Sequence, residues 1–357
     1  MDRDTLIRRV REEGTPLIDG DIATLVWDGE TAPAVIGDFN GWGYRGPLGF
    51  EPLGGDLWIA SIELPIDAYV EYALASDGGR ILDPLNPRVA SDGMGNSNNY
   101  FTMPGWQESR FANTRRGVPR GRLKRYVVEG GNFVVGGKRA VHLYTPAVPG
   151  PYPLLVVLDG REYLRRARLI QIANAMIAEG AMQPVAMAFV EHAGPARVIE
   201  YFCSDATVRF IADSVLGLAR EEIDLLDPAQ YPGSYGIAGS SMGGLMALYA
   251  GMRLPDVFGR VISQSGAFGL EVHGRPSVIH ELVAATPRRP LRVWMDVGRL
   301  EWLIESNRRM AALLRDRGYD VTYREHGGGH NYASWRNEIP LALEALFAPA
   351  QETVLTA

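Results

Sequence analysis

The chain has 357 residues, 46% hydrophobic and 22% charged, with a formal net charge of −6. That is ample core for two ordinary domains, and the mild acidity offers no general attraction to nucleic acid or to anionic lipid. A single cysteine, Cys203, excludes an internal disulfide, a cysteine-rich zinc site and a CxxC redox pair; with no supporting motif it reads as a buried structural thiol.

The opening segment, MDRDTLIRRVREEG, is charged and has no apolar region, so no signal peptide and a cytoplasmic protein are expected. Its first dozen residues have the spacing of a short amphipathic helix. No run approaches the roughly 18 apolar residues of a membrane span. From about residue 22 to 104 come short β-rich runs, ATLVW, PAVIGDF, DLWIASIEL and AYVEYALAS, punctuated by NGWG, LGGD and SDGG. Strands at this spacing predict a small antiparallel sandwich. The polar, basic stretch ESRFANTRRGVPRGR lacks apolar periodicity and reads as the connection between domains. The first domain is therefore expected over 1–112, the linker over 113–121 and the second domain over 122–357.

In the second domain KRYVVEG and AVHLYTP suit an opening antiparallel pair, after which strands and helices alternate. PLLVVLD, PVAMAFVE, SYGIAGS, GRVISQSG, LRVWMDVG and DVTYREH read as strands. REYLRRARLIQIANAMIAEG, DATVRFIADSVLGLAREEIDLL, MGGLMALYAGMRL, LIESNRRMAALLRDRG and ASWRNEIPLALEALF read as helices. Alternation of this kind implies a mostly parallel sheet with helices on both faces, with function at the carboxyl ends of the strands.

GIAGSSMGG lies between a predicted strand and a predicted helix, the context of a nucleophile elbow. So tight a turn leaves no room for side chains two residues before and after the serine. Ser241 has Gly239 and Gly243 there, whereas Ser240 has Ala238 and Met242, so sterics select Ser241. The Met242 backbone N–H, at the helix start, supplies one half of an oxyanion hole. A serine needs a base, and the base an orienting carboxylate, in the chain order Ser, Asp or Glu, His. His330, in EHGGGHNYASW, sits in a loop before the last helix and is the expected base. His326, at a strand end, reads as structural or solvated, and His273 and His280 as surface residues. The acid follows LRVWMDVG: Glu301, in the loop after Gly298, is the better placed, and Asp296 is the alternative. In VVLDGREYL, Gly160 permits a turn that aims the Arg161 backbone N–H as the second oxyanion donor. HELVA lacks the second histidine of a zinc-protease motif, and neither a phosphate loop nor a dinucleotide fingerprint occurs.

GSSMGGLMALYAGMRLPDVFGRVISQSGAF, with VVLDGREYL, VGRLEWLIESNRRM and GGGHNYASWR in matching order, resembles the esterase D and enterochelin esterase branch of the α/β-hydrolases over most of 122–347. The resemblance implies that the acid stands three residues after the glycine closing its strand, which is Glu301 after Gly298. FVEHAGPARVIEYFCSD resembles a family segment carrying an Arg and a Glu at the active-site rim, which maps to Arg197 and Glu200; a structural ion pair is the other reading of these two. The first domain resembles the early-set, Ig-like domain that precedes such esterases. AVIGDFNGW, with LWIASIELP and ILDPLNP, is also similar to glycogen-binding modules, in which exposed tryptophans stack on sugars; Trp42 and Trp58 are the candidates here, and core or domain-interface packing is the leading reading of both.

The expected fold is thus an α/β-hydrolase preceded by a small all-β Ig-like sandwich. The expected enzyme is a serine carboxylester hydrolase using Ser241, His330 and Glu301, with no cofactor and no metal. Its partner is a small-molecule ester, with no nucleic acid or membrane involved, and the sequence specifies no oligomeric state. Enterochelin esterases cut a triester backbone loaded with anionic ferric catecholates, so the resemblance implies locally gathered positive charge. Arg161, Arg165, Arg166 and Arg168 follow the oxyanion loop, the first, second and fourth of them on one helical face, with Arg197 and Arg299 as further cations. Arg197, Arg165 and Trp302 are the expected substrate contacts. The alternatives are a feruloyl or acetyl-xylan esterase acting on an acylated sugar and, in another class, a non-catalytic carbohydrate-binding protein.

Overall fold

The computed structural model describes residues 3–76, 79–91, 96–113 and 116–349. Residues 114 and 115 of the expected linker, and 77 and 78 of the SDGG turn, lie outside the described residues. The chain divides into two compact units. The first comprises Met1–Glu108 with Val297–Ile304 and Glu325–Ser334, and the second comprises the remainder.

The first unit opens with α1 (Arg3–Glu13), which buries Leu6. The strands β1 (Leu17–Asp19), β2 (Ile22–Asp28), β3 (Ala34–Gly37), β4 (Glu51–Gly54), β5 (Leu57–Glu63), β6 (Tyr69–Ser76), β7 (Gly79–Ile81), β8 (Val89–Ser91) and β9 (Ser97–Thr102) follow. They form antiparallel sheets in the orders β1-β2-β5-β4 and β3-β6-β9-β8, with β7 on β6. Ala23, Leu25 and Ala60 of one sheet and Val35, Val70, Tyr72 and Phe101 of the other share one core, as alternating strands in a sandwich require. Leu300 packs against this core. The strand expected across PAVIGDF stops at Gly37, and Asp38–Asn40 is a 3-10 turn. The Asn40 carboxamide oxygen accepts the Gly37 and Gly43 N–H groups at 3.0 and 3.1 Å and so closes the turn.

The second unit contains β10 (Arg122–Glu129), β11 (Lys138–Thr145), β12 (Leu154–Leu158), α2 (Gly160–Arg165), α3 (Leu169–Ala178) and β13 (Ala186–Val190). It continues with α4 (Arg197–Tyr201), α5 (Asp205–Phe210), α6 (Leu216–Glu222), β14 (Tyr235–Ser240), α7 (Met242–Arg253) and β15 (Phe258–Gln264). The small hairpin β16 (Glu271–Val272) and β17 (Arg275–Pro276) precedes α8 (Ile279–Ala285), β18 (Arg292–Gly298), α9 (Ile304–Asp316), β19 (Asp320–His326) and α10 (Tyr332–Phe347). One sheet runs β10-β11-β13-β12-β14-β15-β18-β19. Its first two pairings are antiparallel, and those joining β13, β12, β14, β15 and β18 are parallel. This is the α/β-hydrolase architecture, preceded by a β domain. The central strands β12 and β13 are buried at every position, as strands covered by helices on both faces must be.

Two expected helices are not continuous. The segment beginning at Arg161 breaks between α2 and α3, with Arg168 left-handed at φ 53°. Ala167 and Leu169, on either side of the break, are both fully buried. Arg168 therefore does not share a helical face with Arg161 and Arg165. The segment beginning at Asp205 carries a π-helical turn at Ile211–Val215 and ends at Glu222, not Leu226. The extra residue in that turn keeps Phe210, Ile211, Val215 and Leu216 all buried.

At Gly160 the start of α2 passes close against β13. A Cβ there would lie 2.5 Å from the Phe189 carbonyl carbon and 2.7 Å from the Val190 nitrogen, both immobile backbone. Gly160→Ala is expected to cost about 1–3 kcal/mol in urea unfolding. An unchanged midpoint and slope would contradict this close approach.

Candidate active site

Ser241 joins β14 to α7 at φ 57°, ψ −121°, a backbone region that residues with a Cβ avoid. Three backbone hydrogen bonds hold it there. Its N–H donates to the Gln264 carbonyl at 2.8 Å, and its carbonyl accepts the Leu245 and Ala267 N–H groups at 3.1 and 3.0 Å. A Cβ on Gly239 would overlap the Gly243 carbonyl, and one on Gly244 would lie 2.7 Å from the Ser263 hydroxyl. Ser240 is buried in β14, whereas Ser241 is partly exposed. Met242 begins α7, and the first amides of a helix have no acceptor within it.

After β12 the chain turns through Asp159, left-handed at φ 54°, into Gly160 and Arg161 in the first turn of α2. Arg197 grips this turn. Its Nε and Nη2 donate to the Asp159 carboxylate at 2.7 and 2.5 Å, and Nη2 also donates to the Ser240 carbonyl at 3.1 Å. Arg197 thus ties the turn before α2 to the strand before Ser241. Glu200 is not its partner: Glu200 accepts from Arg139 at 2.5 Å and from the Val135 N–H at 2.8 Å. Gln264 is a second tie. Its side chain accepts the Tyr163 hydroxyl at 3.0 Å and donates to Asp296 and the Trp335 carbonyl at 3.2 and 3.1 Å. Asp296 is fully buried and also accepts the Trp294 indole N–H at 2.7 Å. Arg161 and Arg165 are exposed and line a cavity of about 300 Å³ with Arg125, His142, Leu164 and Glu191. Burial pushes the Cys203 thiol up to about 12, so a thiolate nucleophile is scarce near neutral pH.

The remaining residues of interest lie in the first unit. Glu301 is buried, and its Oε1 accepts the Gly298 N–H at 2.9 Å. Its Oε2 meets His330 Nδ1 at 2.6 Å. A carboxylate at Nδ1 keeps the proton of the neutral ring on that nitrogen and leaves Nε2 as the basic one. His326 is buried and its Nδ1 accepts the Gly328 N–H at 3.1 Å, a structural arrangement. Trp302 is 43% exposed, with its ring 4.8 Å from the His330 imidazole. Arg299 pairs with Asp67.

Asp38 escaped the sequence reading. It is buried and accepts from the Glu71 N–H at 2.8 Å, from Asn331 Nδ2 at 3.0 Å and from the Trp42 indole N–H at 3.2 Å. The available signal was AVIGDFNGW, a motif similar to sugar-binding modules. The Trp42 ring is covered by Arg80 at 4.2 Å, and the Trp58 indole N–H donates to the Gly29 carbonyl at 2.9 Å. Both tryptophans are thus engaged in internal packing. Among the described residues no cluster of three or more His, Cys, Asp or Glu is placed to hold a metal ion.

Comparison with known proteins adds to this geometry. The model of the family described as "Putative esterase" matches residues 134–346. Over 92% of its length the chain is 26% identical to the Iron(III) enterobactin esterase of Dickeya dadantii (strain 3937), 89% of which is covered. Among solved structures, the ferric enterobactin esterase of Salmonella typhimurium has a TM-score of 0.78 at 20% identity, with 94% of this chain and 95% of that one covered. The Shigella flexneri enterobactin esterase, determined in the presence of enterobactin, has a TM-score of 0.75 at 20% identity, with 91% and 92% covered.

Burial first, and then the charge of Glu71, push the Asp38 carboxyl up from 3.8 to about 8, against the pull of its N–H donors. The folded protein then holds a proton that the unfolded chain releases. This contribution to stability is fully present below pH 3.8 and is lost as pH rises through about 8. Asp38→Asn is expected to flatten the fall of Tm between pH 5 and 8, measured by thermal unfolding across that range. An unchanged slope in the variant would remove Asp38 as its source.

Proposed function

The chain belongs to this esterase family and is a carboxylic ester hydrolase, and on that premise we propose that it is a serine esterase that opens the ester backbone of a catecholate siderophore of the enterobactin type. Ser241 is the nucleophile, His330 the general base and then acid, and Glu301 the orienting carboxylate. The observation that carries this reading is the strained Ser241 backbone at φ 57°. Such conformations cost about 1–3 kcal/mol and persist where the surroundings over-determine them, typically at reactive groups.

Ser241 Oγ attacks the ester carbonyl carbon while His330 Nε2 takes its proton. The oxyanion is received by the backbone N–H groups of Met242 and Arg161. Collapse breaks the C–O bond, His330 returns the proton to the leaving alkoxide, and an acyl-enzyme remains. Water, deprotonated by His330, attacks that ester and frees Ser241. Glu301 stabilises the imidazolium throughout, as its 2.6 Å contact with Nδ1 favours. Asp296 is the weaker candidate for this role, because Trp294 and Gln264 already engage its carboxylate.

The substrate class is supported by similarity that runs through both units to proteins named enterobactin esterases. Exposed Arg161 and Arg165 supply cations for an anionic ligand, while Arg197 and Arg299 are engaged by Asp159 and Asp67. Trp302, beside the base, offers an aromatic face to a catechol ring.

Ser241→Ala is expected to abolish turnover of p-nitrophenyl butyrate, and Glu301→Gln to lower kcat on the order of 10,000-fold. A larger loss in Asp296→Asn than in Glu301→Gln would reverse the assignment of the acid, and unchanged turnover in Ser241→Ala would end the serine mechanism. Side-by-side kinetics on ferric enterobactin, methyl ferulate and p-nitrophenyl acetate should give the highest kcat/KM on the first. A preference for methyl ferulate by orders of magnitude would assign the protein to plant-polymer esters instead.

A further inference from the structure

We propose that Asp38 is a positioning residue for the catalytic base: it holds the two residues flanking His330, and so makes the β-sandwich portion of the first unit part of the catalytic apparatus. This rests on His330 being the base.

His330 follows three glycines, Gly327 to Gly329, and a glycine run left to itself samples many backbone states. A base that wanders by an ångström loses most of its rate advantage. Glu301 orients the ring but does not hold the chain on either side of it. Asp38 does. On the preceding side, a Cβ on Gly329 would overlap the Asp38 carboxyl carbon, so the loop is pressed directly against that side chain. On the following side, Asn331 Nδ2 donates to Asp38 Oδ2 at 3.0 Å, while Asn331 Oδ1 accepts the Ser334 N–H at 2.9 Å at the start of α10. One carboxyl group therefore engages positions 329 and 331, while Glu301 orients the His330 ring between them.

Asp38 is itself held on a rigid scaffold. Asn40 closes its turn through Gly37 and Gly43, and donates to the Val35 carbonyl at 2.9 Å. The Trp42 indole and the Glu71 N–H engage both Asp38 oxygens. The DFNGW motif thus reads as a mount: Asn40 shapes the turn, Trp42 steadies the carboxylate, and Asp38 reaches the His330 loop. The burial of Asp38 supports a dedicated role, because a buried carboxyl is retained only where its partners satisfy it.

The test is a mutant cycle on p-nitrophenyl butyrate with the full-length protein, using Asp38→Ala, Asp38→Asn and Asn331→Ser, each alone and combined with His330→Ala. Asn331→Ser keeps a side-chain cap for α10 and removes the link to Asp38, so it carries the test if Asp38→Ala does not fold. Rates of the variants that keep His330 are expressed per active site, titrated with a fluorophosphonate, and those of the variants lacking it per folded protein, quantified by near-UV circular dichroism. Asp38→Ala and Asn331→Ser are expected to lower kcat on the order of 10- to 100-fold with KM nearly unchanged. Asp38→Asn, which keeps an acceptor for Asn331, recovers part of the loss. None of the three lowers the residual rate of His330→Ala further, because a residue that acts through the base has nothing left to position. Normal kcat per titrated site in Asp38→Ala or Asn331→Ser, or the same fold loss in the His330→Ala background, would overturn the proposal and leave the base assignment standing. Full activity in His330→Ala alone would overturn the base assignment, and the proposal with it.

Discussion

Ser241 stands in a backbone region that a residue with a Cβ disfavours, and the contacts that hold it there organise the second unit. The left-handed turn is stable only because the Gln264 carbonyl takes its N–H and two amides take its carbonyl. The Gln264 side chain reaches Tyr163 of α2, Asp296 of β18 and the start of α10 at once. Arg197 adds a second brace, from Asp159 to the Ser240 carbonyl. The turn at Ser241 and the turn through Asp159 and Gly160 are therefore not separately adjustable. The glycines at 239, 243 and 244 are a consequence of the same crowding, since backbone and side chains occupy the space where Cβ atoms would stand.

Glu301 and His330 depend on a different kind of constraint. Glu301 turns back onto the Gly298 N–H, which directs one oxygen to its own chain and the other to His330. The glycine run before His330 is the complement of this compactness: Gly327 approaches Asp67 and Gly329 approaches Asp38 more closely than any side chain permits. Glycine there reflects close approach, and external contacts supply the rigidity that glycine itself lacks.

Features set by neighbours in the chain were legible in the sequence. The strand–turn–helix around Ser241 follows from glycine spacing, and the alternation from β12 to α10 follows from apolar periodicity. The position of Glu301 three residues after Gly298 is a local relation, and it delivers the carboxylate to His330. Features set by distant partners were not legible. The break at Arg168, where the backbone is left-handed, has no sign in the apolar periodicity that runs across it. Arg197 and Glu200, three residues apart, each found a partner far along the chain, Asp159 and Arg139, and not one another. Asp38 and Asn331 are separated by 293 positions, and neither carries a local sign of the other. Trp42, in a motif similar to sugar modules, donates its indole N–H to Asp38 and is covered by Arg80, in keeping with the packing reading of this residue.

The first unit is assembled from three pieces of chain, two of which, Val297–Ile304 and Glu325–Ser334, come from near the far end. During synthesis the sandwich strands emerge early, yet the unit lacks its final pieces until residue 334 has left the ribosome. Closing a loop of this length carries a large entropic penalty, and only contacts made after closure offset it. The Asp38–Asn331 contact, across 293 positions, therefore carries the cost of closing that loop, whereas the Glu301–His330 contact, across 29, does not.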